Sequence, residues 1–114
     1  MSYLVTPFEV SSQGLAAPVK VRFVHLFSAI ATRHSDTIDC VFRVNGRPAT
    51  VAISCAALAE LARKEGKGLT DQQLADIAAL ALRRTLEQGY DAVLAEVYLG
   101  AREIAALGKE LGYL

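Results

Sequence analysis

Neither sign of charge is in excess. Twelve Lys and Arg stand against twelve Asp and Glu in 114 residues, a formal net charge of zero, and the pI is near 6.7. So balanced a chain has no overall field to draw in a polyanion, although a local basic patch is compatible with it. Little self-repulsion opposes association. Cysteine is scarce: Cys40 and Cys55 are the only two, and without a CxxC spacing they argue against a disulfide framework or a redox pair. No apolar run reaches the roughly 18 residues needed to span a membrane. The start, MSYLVTPFEV, lacks the basic residues and long apolar run of a secretory signal. A cytoplasmic protein with reduced thiols is therefore expected. Repeats, low-complexity stretches and linkers are missing as well, so residues 1–114 are expected to form a single α+β domain.

What is present is a hydrophobic content of 53%, enough for one modest core. The N-terminal half reads as strands. YLVTPFEV (3–10) has β-type residues, with Pro7 marking an edge or a break. In PVKVRFVHLF (18–27), Val19, Val21, Phe23, His25 and Phe27 fall on one face, and Lys20, Arg22, Val24 and Leu26 on the other. Phe23, Leu26, Phe27 and Ile30 also fit helical spacing, so residues 19–34 are open between strand and part helix. The strongest local signal is TIDCVFRVNGRPATVAIS (37–54). Asn45-Gly46 predicts a two-residue hairpin turn, because both central residues need positive φ. That turn sets Val44 against Arg47, Phe42 against Ala49, Cys40 against Val51 and Ile38 against Ile53, nearly all apolar, with Asp39, Arg43 and Thr50 on the other face.

The C-terminal half reads as helices. SCAALAELARKEG (54–66) has Ser54 as its N-cap, Gly66 as its stop and an apolar stripe of Cys55, Leu58, Leu61 and Ala62. TDQQLADIAALALRRTLEQG (70–89) opens on a Thr70–Gln73 capping box, with Asp71 against the helix dipole, and is apolar almost all round from Leu74 to Leu82. In 91–114, Val93, Val97, Gly100, Ile104, Leu107, Leu111 and Leu114 form a heptad seam behind an Asp91 cap. A second stripe of Ala101, Ala105, Gly108 and Gly112 would let another backbone approach. A small protein has little surface to cover both stripes, so a homodimer through residues 91–114 is expected; a strand at 92–99 is the alternative. The fold class is α+β, an antiparallel β-meander of three to four strands followed by three α-helices packed on one sheet face.

Chemistry is thinly signalled. RHSD (33–36) reads as a polar turn, since His34, Ser35 and Asp36 stand too close along the chain to converge as a triad. His25, His34, Cys40 and Cys55 have no metal-ligand spacing. Lys67 and the helix start at Thr70 could hold an anion, but no phosphate-loop motif accompanies them. Cys55, at a helix start, is the better nucleophile, yet no base is identifiable and it also fits the core stripe. Glu60, Glu65, Asp71 and Asp76 read as solvated helix faces.

The strand and two helices of ATVAISCAALAELARKEGKGLTDQQLADIAALALRRTLEQG (49–89) resemble a ribbon-helix-helix DNA-binding domain. The resemblance would imply a base-reading strand, here with Thr50, Ala52 and Ser54 outward. None of them is basic, and the Asn-Gly hairpin pairs this strand within its own chain. Arg83-Arg84 reads equally as a solvated pair. The expectation is a small, non-catalytic binding or assembly module acting as a homo-oligomer, with no catalytic, cofactor or metal residues assigned and no membrane or nucleic-acid partner. The alternatives are a ribbon-helix-helix-like regulator, which clustered basic residues on one surface would favour, and a small enzyme with a site near the polar sheet face.

Overall fold

The computed structural model describes residues 5–11, 18–27, 37–66, 68–89 and 96–114. In chain order it contains β1 (Phe8–Val10), β2 (Val19–Phe27), β3 (Thr37–Val44), β4 (Arg47–Ser54), α1 (Cys55–Glu65), α2 (Asp71–Glu87), β5 (Val97–Leu99) and α3 (Ala101–Glu110). The strands lie in the order β1-β2-β3-β4-β5. The first four form the expected antiparallel meander, and β5 adds a short parallel strand beside β4 after the α1–α2 crossover.

The hairpin has the register that its turn dictates, from Val44↔Arg47 through Phe42↔Ala49 and Cys40↔Val51 to Ile38↔Ile53. Asn45 (φ 51°) and Gly46 (φ 81°) both occupy the left-handed region that a two-residue turn requires. Cys40, Phe42, Val44, Ala49, Val51 and Ile53 thus share one face, where they meet Val10, Val21 and Leu99 under the helices. Phe23 packs edge-to-face on Phe42, ring centroids 5.4 Å apart. From α2, Leu74, Ile77, Ala78, Ala81, Leu82 and Leu86 fill this core, and α1 adds Ala57 and Leu61.

The caps form where expected. The Ser54 side chain accepts the Ala57 N–H, and Gly66 closes α1 in the left-handed conformation. Thr70 and Gln73 bond reciprocally at the start of α2.

Three expectations are corrected. First, β2 does not keep one alternation. The register shifts between Phe23 and His25, so Leu26 comes opposite Cys40 and is buried, while His25 comes opposite Val41 and is exposed. The extra residue of a bulge turns the strand over, which explains why both of its faces carry apolar residues. Second, residues 91–114 are not one helix. Residues 91–95, with the Asp91 cap, lie outside the described residues, and Val97–Leu99 is a strand. Val97 and Leu99 pair with Val51 and Ile53 on the core side. Ile104 is wholly buried within its own chain, while Leu111 of the same seam is exposed. Third, the small-residue stripe is used within the chain: Ala101 and Ala105 pack on the core, and its two glycines meet the chain end. The Tyr113 N–H bonds Gly108 C=O and the Gly112 N–H bonds Lys109 C=O, a Schellman closure of α3. A Cβ on Gly108 would lie 2.8 Å from Leu114 Cδ1.

β4 lies between β3 and β5, with Ala52 fully buried and Ser54 nearly so. On the β5 side, the pairing covers β4 at Val51–Ile53.

Candidate functional site

The face of the sheet away from the helices carries the polar half of each strand's alternation. At its β1–β2–β3 end, Glu9 stands opposite Lys20 and Arg22 stands opposite Arg43. All four residues are exposed. Directly opposed residues on antiparallel strands have Cβ atoms about 4.5–5.5 Å apart, and like charges placed so destabilise the pair. No ion pair joins Lys20, Arg22 or Arg43 to a carboxylate among the described residues. The local charge is therefore strongly positive on a chain whose total charge is zero.

The hairpin turn makes this corner rigid. Asn45 donates its backbone N–H to Lys20 C=O at 2.8 Å and accepts the Lys20 N–H on Oδ1, also at 2.8 Å. Arg43 donates from a guanidinium nitrogen to Gly46 C=O at 2.9 Å, which fixes one edge of its planar group. These residues, with Pro7 and Phe8, line a cleft of about 620 Å³, within the range of small-molecule sites. The Phe8 ring is held from the helix side by the Arg83 guanidinium, 4.7 Å from its centroid.

The other candidates are dispersed. Cys40 is sealed in the core, and burial together with nearby Asp39 and Asp71 pushes its thiol up to about 12, so it is no nucleophile. Cys55, at the first position of α1, is only half-buried and lies outside the tightly packed stripe in which it was expected. His25 is exposed on the outer face. His34, Ser35, Asp36 and Lys67 lie outside the described residues. At Thr70 the helix start is engaged in its own capping box. Asp76 is drawn into packing: it accepts the Tyr113 hydroxyl at 2.5 Å and the Gln72 amide at 3.0 Å. The bond to Asp76 raises the Tyr113 pKa. Arg84 is paired with Glu110, and Arg83 covers Phe8. Among the described residues no three His, Cys, Asp or Glu are grouped to hold a metal, and no helix is long and apolar enough to cross a membrane.

A second polar group lies at the opposite end of the sheet. Thr37, Asp39 and Ser54 are buried there, and Thr37 Oγ1 donates to Asp39 Oδ1 at 3.0 Å. Sequence alternation had placed Asp39 on the polar face but not under cover. The basic corner also escaped sequence reading. Lys20, Arg22 and Arg43 were assigned to polar faces, but the β2–β3 register that joins them is not written in either strand.

No protein-family model, curated protein or solved structure matches this chain.

Proposed function

We propose that the protein is a non-catalytic binding module that takes an anionic ligand in the cleft between β1, β2 and the hairpin turn. The observation that carries this reading is the Arg22–Arg43 pair, two cations set directly opposite each other beside Lys20. Such an arrangement costs stability in the empty protein and is relieved when an anion enters. Among the residues used to build the cleft, Glu9 is the only carboxylate, and neither thiol nor imidazole lines it. Its groups can hold charge; they do not form a nucleophile–base pair. The free thiols Cys40 and Cys55 accord with a reducing, cytoplasmic setting. This reading does not depend on a second copy of the chain.

The test is an amide NMR titration of the full chain with small multivalent anions, inorganic phosphate and citrate. Shifts are expected to concentrate at Glu9, Lys20–Arg22 and Arg43–Gly46 and to disappear in the Arg22→Ala, Arg43→Ala double variant. Shifts that persist in the double variant, or no shifts at tens of millimolar anion, would overturn the reading.

A further inference from the structure

The charge in the cleft also selects among anions. Glu9 stands opposite Lys20 and offsets one of the three cations, leaving the two facing guanidiniums in excess. A carboxylate has one negative charge and two oxygens, which a single arginine fork satisfies. A phosphomonoester carries about −1.5 to −2 near neutrality and three terminal oxygens, which suits two forks. Arg43 is already oriented by its bond to Gly46 C=O, and the turn that holds it is tied to β2 through Asn45. Less ordering is therefore left to the binding step. Exposed Pro7 forms an apolar shelf beside the charges, and the volume of about 620 Å³ admits more than a bare ion.

We infer that the cleft binds a small phosphomonoester, its phosphoryl group clamped between Arg22 and Arg43 and its organic part lying against Pro7. This rests on the anion-binding reading above and narrows it to one ligand chemistry.

The experiment is calorimetric titration of the full chain with phenyl phosphate, inorganic phosphate, benzoate and an oligothymidylate lacking terminal phosphates. Phenyl phosphate is expected to bind best, about tenfold or more tighter than benzoate. Its affinity should rise as pH is raised through about 6, where the second phosphate proton leaves. Arg22→Ala and Arg43→Ala should each weaken it by about tenfold or more, and Arg43→Lys should restore only part of the loss because an ammonium lacks the fork. Should Arg43→Ala disturb the hairpin, Arg22→Ala carries the test, with circular dichroism confirming the fold. Equal binding of benzoate would overturn the phosphoryl assignment while leaving an anion cleft. Binding of oligothymidylate alone would overturn it in favour of a diester polyanion. Inorganic phosphate matching phenyl phosphate would remove the apolar shelf from the site. Silence from all four probes would overturn both readings.

Discussion

Cys40 and Cys55 have the same chemistry and are placed differently by the fold. Cys40 has no exposed surface, and its thiol is pushed from 9.0 to about 12, first by burial and then by neighbouring carboxylates. Its proton is therefore held in the native state at pH values where the unfolded chain has lost it. The sign follows: this group's contribution to stability is complete below pH 9.0 and is lost as pH rises toward about 12. Denaturant midpoints measured across that window should fall for the wild type and fall less steeply for Cys40→Val. Thiol labelling should separate the two residues as well. Half-buried Cys55 is expected to react on the order of tenfold faster than Cys40 in the folded protein, and the two should converge once it unfolds. Equal, slow rates would restore the sequence expectation that both cysteines belong to the core.

The hairpin is the element in which local signals agree. At Gly46, φ is 81° and an added Cβ would meet nothing within 4 Å, so substitution there is opposed by backbone conformation and not by neighbours. Gly46→Ala is expected to cost about 1 kcal/mol, and Gly46→Val more, because a β-branched residue resists positive φ. Denaturant melts check the order, and amide exchange at residues 37–54 should speed up. The turn also holds Arg43 and is bonded to β2 at Lys20, so these variants should weaken anion binding without removing a charge. The 91–114 segment shows the opposite case. Its apolar spacing continues across Gly100, which reads as one helix. Val97–Leu99 instead becomes a strand because β4 offers it an open edge and a core-facing register. Tertiary pairing overrides a short helical pattern in this way.

At the scale of the molecule, the question is whether Ile104 holds two chains together or one. The side chain is fully buried within its own core. Ile104→Asp would place an unpaired charge there, and a loss of about 4 kcal/mol or more in unfolding free energy is expected. Under a dimer seam the same variant would give a well-folded monomer. Denaturant melts and light scattering at matched micromolar concentrations distinguish the two: an unchanged midpoint with halved mass would revive the interface, and a lowered midpoint without a change of mass places Ile104 in the core of a single chain.

The sequence by itself determined the α+β class, the hairpin with its register, both caps of α1 and the capping box of α2. Each depends on residues within a few positions of one another: positive φ at Asn45 and Gly46, a hydroxyl before a helix, an alternation of period two. The tertiary structure alone decided the bulge after Phe23, the parallel pairing of β4 with β5, the burial of Asp39 and the juxtaposition of Arg22 with Arg43. Each of these sets far-separated segments in register. Such registers are selected by the core as a whole, because shifting a strand by one residue exchanges its buried and exposed faces. In β2 one extra residue makes that exchange within the strand, burying Leu26 and exposing His25, while the register before it brings two arginines face to face. The candidate site is thus composed of residues that the sequence shows to be polar and that only the packed sheet makes neighbours.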